Sequence, residues 1–223
     1  MNPLVIINPN SSDQVTEGIR SAVKPLEQFG FPISCVTLAE GPPAIETQMQ
    51  ADLTIAPLLK LAEKHGQAAG FVIACFGDPG LHALRDCADV PVVGIQEASV
   101  GMALTLGQSF GVIAILPASI PRHLRAFGAM GVQHRLAGDR ALGLGVAELA
   151  DSDRTLDAMI RTGAMLRDDD GADVLIMGCA GMAGYREALE DALGLPVVEP
   201  CQAGASLALS QIALGYAKAR TGG

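Results

Sequence analysis

Short apolar runs closed by turn residues recur along the chain, at 4–7, 33–38, 70–74, 90–95, 111–116, 132–136, 173–177 and 195–198. Runs of that length bounded by Gly, Pro, Asn or Asp read as buried strands. The stretches between them carry helical spacing, at 12–29, 54–65, 81–87, 97–106, 120–130, 153–169, 185–193 and 201–219. Leu58, Leu59, Leu61 and Ala62 share one side of the second helix, and Gly66 stands where it should stop. Strand and helix alternating at this rhythm predict parallel sheets joined by right-handed crossovers, an α/β fold.

The pattern also repeats internally. Ala74-Cys75-Phe76-Gly77-Asp78-Pro79-Gly80 and Gly178-Cys179-Ala180-Gly181-Met182-Ala183-Gly184 each put a cysteine just after an apolar strand, with glycines two and five residues on. Each leads through a short helix to a Pro-Val-Val strand, at Pro91 and Pro196. Val5-Ile6 with Pro9 and Ser11 is echoed by Val112-Ile113 with Pro117 and Ser119. Several matches in register predict a duplicated half: two pseudo-twofold-related Rossmann-like lobes, each a mostly parallel sheet flanked by helices. The first lobe, 1–98, carries Cys75 and the second, 99–204, carries Cys179. Open parallel sheets bind ligands beyond the carboxyl ends of their strands, so both cysteines are expected in the cleft between the lobes.

Two opposed thiols suit one kind of chemistry. Moving a proton from one face of a carbon to the other needs a base on one side and an acid on the other. A thiolate and a thiol supply both, and each turnover leaves them reset in the opposite sense. Both cysteines precede glycine-containing turns that open helices, where backbone N–H groups favour thiolate. The N–H groups of Phe76, Gly77, Ala180 and Gly181 are candidates to hold a carboxylate or an enolate oxygen. Cys35 in a strand, Cys87 at a helix end and Cys201 at a helix start read as packing, the commoner fate of a lone cysteine.

Composition narrows the classes. Hydrophobic residues make up 49% and charged ones 17%, which excludes disorder, while the 4% aromatic content leaves a core of Ala, Val, Ile and Leu. The formal net charge of −9 disfavours nucleic acid as a partner. No apolar stretch is long enough to span a membrane, and the first residues lack the cationic start of a signal peptide, so a soluble cytoplasmic protein is expected. Five widely spaced cysteines with no C-x-x-C or H-x-x-x-H pattern argue against a disulfide framework and against a metal site.

The motifs together resemble a known group. Ile7-Asn8-Pro9-Asn10-Ser11-Ser12, the two cysteine segments, Gly41-Pro42, Ile45-Glu46 and Pro91-Val92-Val93-Gly94-Ile95 with Glu97-Ala98 are similar to the Asp/Glu racemase superfamily, in its hydantoin and allantoin racemase branch. The resemblance spans nearly the whole chain. It implies a cofactor-independent racemase acting on a 5-substituted hydantoin or similar small cyclic ureide, with Cys75 and Cys179 as the two bases. It further implies that Asn8 contacts substrate, that the amides after each cysteine form an anion pocket, and that the enzyme is a homo-oligomer. The last helix, about 205–223, would pack back on the first lobe. Relatives often carry adjacent threonines where this chain has Ala114-Ile115. The loss of those hydroxyls predicts a more apolar wall and a substituent larger and less polar than the ureido group of allantoin.

Three other readings stand beside this one. A maleate cis-trans isomerase also uses two thiols. An arylmalonate decarboxylase-like lyase keeps one, whereas this chain has both. A two-lobed small-molecule binding module would need neither. Among other polar residues, Ser11 or Ser12 is expected to cap the first helix. Asp78 either raises the Cys75 pKa or caps the next helix. Glu46 lies in a segment that is a lid or an interface, and His82 is an exposed helix residue. The four histidines are otherwise scattered.

Overall fold

The computed structural model describes residues 1–216. Two parallel four-stranded sheets carry the fold. The first is built from β1 (Leu4–Asn8), β2 (Ile33–Thr37), β3 (Gly70–Ile73) and β4 (Val92–Gly94), in the order β2-β1-β3-β4. The second is built from β5 (Phe110–Ala114), β6 (Leu136–Ala141), β7 (Val174–Met177) and β8 (Val197–Val198), in the order β6-β5-β7-β8. The two orders are identical once the second set is renumbered, so the repeat in sequence is a repeat in topology.

Nine helices lie among the described residues: α1 (Asp13–Val23), α2 (Gln48–Leu53), α3 (Ile55–Lys64), α4 (Leu81–Cys87), α5 (Ile95–Leu106), α6 (Ile120–Ala129), α7 (Ser152–Asp168), α8 (Arg186–Leu193) and α9 (Pro200–Ala213). The expected end of the last helix at 219 lies outside the described residues. Strands β1, β3, β5 and β7 are buried on both faces, which explains why they read as unbroken apolar runs. Val5, Ile7, Phe71 and Ile73 pack outward against Leu58 and Ala62 of α3 and Leu81 and Leu84 of α4. Ile113, Leu175 and Met177 do the same against Met159 and Leu166 of α7 and Leu189 and Leu193 of α8. The inward residues Leu4, Ile6 and Val72 join Val112, Val174 and Ile176 in one shared core, filled by α5 and α9.

These two helices are exchanged. Helix α5 follows the first sheet but packs on β5, β7 and β8, whereas α9 follows the second sheet and packs on β1, β3 and β4. They also pack on each other, through Ala98, Ala103, Ala203, Ala205 and Ala208. At Gly204 a side chain would come within 3.0 Å of Ile95 Cγ2 and 3.1 Å of Val72 Cγ1, so the close approach of α9 requires the glycine. A fully buried Ile or Leu in this core stabilises the fold by roughly 1.5–3 kcal/mol. The exchange therefore ties the two halves through a large apolar contact.

Three expectations change in detail. The strand placed at 132–136 lies at Leu136–Ala141, after a 3-10 turn over Gln133–Arg135. As an edge strand, half-buried throughout, it carries Asp139 and Arg140 and shows no apolar run. The helix expected over 12–29 stops at Val23 and tightens into 3-10 geometry, because Pro25 has no N–H with which to continue it. The sequence pattern above does not predict helix α2, whose signal is the capping box of Thr47 and Gln50. Ser12 does cap α1, its Oγ accepting from the Val15 N–H at 3.3 Å. No helix among the described residues is long and apolar enough to cross a membrane.

Candidate active site

Each cysteine stands two residues past the end of a central strand, at matching points of the repeat. Ala74 N–H bonds to Ile7 O at 2.8 Å and Gly178 N–H to Ile113 O at 2.9 Å, so each cysteine segment leaves its sheet beside the equivalent neighbouring strand, β1 or β5. Cys75 and Cys179 then line one cavity of about 30 Å³, room for a water or two. Ala74, Phe76, Gly178, Ala180 and Gly181 complete the two strand-end turns around it, and Asn10, Val15, Ile45, Ile115, Ser119, Arg122 and Val146 form the rest of the wall.

The cavity lies between two larger spaces. On the Cys179 side a pocket of about 560 Å³ shares Val15, Val146, Ala180 and Gly181 with it and is lined further by Pro43, Ala44, Leu149 and Tyr185. On the Cys75 side a pocket of about 230 Å³ shares Ile45, Cys75, Phe76 and Arg122 with it. The segment leading into α2, together with the helix's first residue, bridges from one half to the other. Glu46 Oε1 accepts from Val146 N–H at 2.9 Å, and Gln48 Oε1 accepts from Arg125 Nη2 at 2.6 Å. The site is therefore roofed by hydrogen bonds between the halves.

Burial dominates the ionisation of both thiols. It pushes Cys75 up to about 12, aided by Cys179 and Asp78 and opposed by the Arg122 guanidinium. It pushes Cys179 up to about 11, opposed by the Gly181 N–H, which donates to its Sγ at 3.3 Å, and aided by Glu46. The expectation that the turns favour thiolate is corrected here. The amide is present at Cys179, but one amide does not offset the loss of water around a sulfur anion. At Cys75 the turn opens no helix directly, since α4 starts only at Leu81.

Asp78 does neither of the local jobs alone. It sits at φ 47°, in the left-handed region, and its carboxylate accepts from Gln96 N–H at 2.9 Å and Glu97 N–H at 3.0 Å. It thus caps α5, not α4, while its charge also raises Cys75. A side chain at position 94 would collide with this carboxylate, which is why Gly94 ends β4. Burial lifts Asp78 to about 7 despite its two amide donors. In the other half Glu199 caps α9 in the same way, accepting from Cys201 N–H at 3.1 Å and from Gln202 N–H, and is also raised to about 7.

The remaining expected residues divide. Phe76, Ala180 and Gly181 line the cavity; Gly77 lines only the neighbouring pocket on the Cys75 side. Asn8 is fully buried beneath the site, with its Nδ2 donating to Asn10 Oδ1 at 2.9 Å and to Thr16 Oγ1 at 3.1 Å. Asn10 is the residue that reaches the cavity. Cys35 and Cys201 are buried, and Cys87 and His82 are exposed. Sequence reasoning favoured Asn8 over Asn10 for this place, and it missed Ser119 and Arg122. It also missed His123, whose Nδ1 pairs with the buried Asp139 at 2.8 Å and whose ring packs edge-on against Phe76. No spacing rule links positions 76, 123 and 139.

Two parallel four-stranded sheets flanked by helices, with a cavity at paired strand ends, define an α/β fold with a candidate site between its two halves. The chain belongs to the Asp/Glu/Hydantoin racemase family, whose model matches residues 4–208. It is 35% identical to the hydantoin racemase of Paenarthrobacter aurescens over 218 residues, covering 96% of this chain and 92% of that one. The allantoin racemase from Klebsiella pneumoniae superposes with a TM-score of 0.91 at 31% identity, covering 100% of this chain and 92% of that one. Arylmalonate decarboxylase, at 20% identity and a TM-score of 0.64 over 97% of this chain and 96% of that one, shares the fold alone. The protein is an isomerase of the racemase type.

Proposed function

We propose that this enzyme racemises a 5-substituted hydantoin by 1,1-proton transfer between Cys75 and Cys179, with no cofactor. The observation that carries the proposal is the shared cavity: two thiols from matching strand ends line one small space. One sulfur, as thiolate, takes the proton from C5, and the C–H electron pair moves into the adjacent carbonyl to give an enolate. The opposite thiol then gives its proton to the other face of C5, and the enolate returns its electron pair. Nothing is consumed, and the two sulfurs have exchanged states. Ile115 on the cavity wall, with Pro43, Ala44 and Leu149 in the adjoining pocket, supports an apolar C5 substituent over a ureido group.

The test is proton NMR in D₂O with circular dichroism on single enantiomers of 5-benzylhydantoin, 5-methylhydantoin and allantoin, with aspartate and glutamate as controls. Loss of the C5 proton together with optical activity, fastest for 5-benzylhydantoin, is expected. Strongest turnover on allantoin would overturn the substituent assignment, and no racemisation of any hydantoin would overturn the function. A second reading, maleate isomerisation, also suits two thiols; fumarate forming from maleate would favour it.

A further inference from the structure

The cavity holds one cation that the two-thiol scheme leaves unused. Among the described residues, Arg122 is the only charged side chain on its wall. One of its Nη atoms donates to Ser119 Oγ at 3.3 Å, but its Nε is buried and meets no acceptor. Among the described residues no carboxylate forms an ion pair with it, whereas Arg20, Arg85, Arg140, Arg154, Arg167 and Arg186 all have acidic partners. A buried guanidinium N–H without a partner is unusual in a folded protein and calls for one. The residue lies in the first turn of α6, where the positive end of the helix dipole adds to its charge.

The rest of the wall strengthens the case. Ile115 presents hydrocarbon, and among the described residues the only other polar side chains besides the two sulfurs are Asn10 and Ser119. The developing negative charge of an enolate needs a donor placed beforehand where the oxygen will be. We propose that Arg122 donates its free N–H to the carbonyl oxygen next to the reacting carbon and stabilises the enolate formed there. This assignment rests on hydantoin racemisation as the reaction. It makes Arg122 a catalytic residue: the electron pair released from C5 comes to rest on the oxygen that Arg122 holds, and it returns to carbon when the second thiol gives its proton. No proton leaves the guanidinium.

Arg122 also faces Cys75, together with Cys179 and Asp78, so its loss has two separable effects. The experiment compares Arg122→Met and Arg122→Lys with the unaltered enzyme on 5-benzylhydantoin from pH 7 to 11, with thermal melting as a check on folding. Arg122→Met should lower kcat by about 10²–10³-fold with KM changed far less, and the loss should persist at every pH. Guanidinium chloride at tens of millimolar should restore part of kcat where sodium chloride does not, and Arg122→Lys should keep more activity than Arg122→Met. A loss that disappears at alkaline pH would mean that Arg122 only tunes Cys75 and would overturn the assignment, as would a rise in KM at unchanged kcat. If Arg122→Met does not fold, a kcat for Arg122→Lys within threefold of the unaltered enzyme overturns it and a larger loss at all pH values supports it. An unaltered enzyme inactive on every hydantoin fails the reaction itself, a result separate from any effect of the variants.

Discussion

The half that carries Cys75 and the half that carries Cys179 share strand order, strand-end hydrogen bonds and an acidic cap on the helix that each exchanges with the other. Their sulfurs nevertheless sit in different fields. Cys75 faces a guanidinium, while Cys179 faces a backbone N–H and the carboxylate of Glu46. Duplication thus reproduces the backbone that aims the two thiols and leaves the charges around them free to diverge. For a racemase the divergence has a limit. Enantiomers are equal in free energy, so kcat/KM must be equal in the two directions, and asymmetry can appear only in kcat and KM separately.

The sharpest way to break the comparison is to remove one sulfur at a time. Cys75→Ser and Cys179→Ser should each abolish racemisation, by about 10²–10⁴-fold or more. Each should still exchange the C5 proton of one enantiomer with D₂O, and the two variants should choose opposite enantiomers. Proton NMR on separated enantiomers reads this, and full racemisation by either variant would end the two-base scheme.

A change of pH should move both halves together. Burial holds both thiols above the ordinary cysteine range in the free protein, so thiolate grows as pH rises. The value of kcat/KM should therefore increase from pH 7 to 10, by about tenfold per unit, since only the thiolate can accept the C5 proton. A flat profile across that range would show that the free thiols ionise lower.

Glu46 belongs to the Cys179 side alone. Glu46→Ala removes its bond to Val146 N–H, which helps roof the cavity, and removes a charge that keeps Cys179 protonated. Iodoacetamide should then alkylate Cys179 several-fold faster than in the unaltered protein, with a smaller change at Cys75, as peptide mass spectrometry can measure. Equal acceleration at the two sites would mean that the roof opens as a whole.

The smallest expected effect concerns the two caps. Glu199 is 3% exposed, and burial raises its pKa to about 7, above the roughly 4.3 of an unfolded glutamate. The folded state therefore favours the protonated acid. Its contribution to stability is full below the unfolded value and is lost as pH rises through about 7. Glu199→Gln should flatten the fall in melting temperature between pH 4 and 7, and Asp78→Asn should do the same in the other half. An unchanged slope in both variants would place the titration elsewhere.

The chain's own order of residues determined a good deal. Alternating strands and helices, the repeat around Cys75 and Cys179, and the cap at Ser12 are local patterns, and each follows from a periodicity or a spacing of a few residues. Strand β6 escaped because an edge strand need not be apolar, and the break at Pro25 shows how one missing N–H shortens a helix. What tertiary structure alone decided is which residues meet. The close packing of α5 on α9, the place of Asn10 rather than Asn8 at the cavity, and the arrival of Arg122 beside Cys75 each depend on contacts between positions tens of residues apart. So did the thiol pKa values. A sequence can show the amides that favour thiolate, but the loss of water that outweighs them exists only once both halves have closed around the sulfurs.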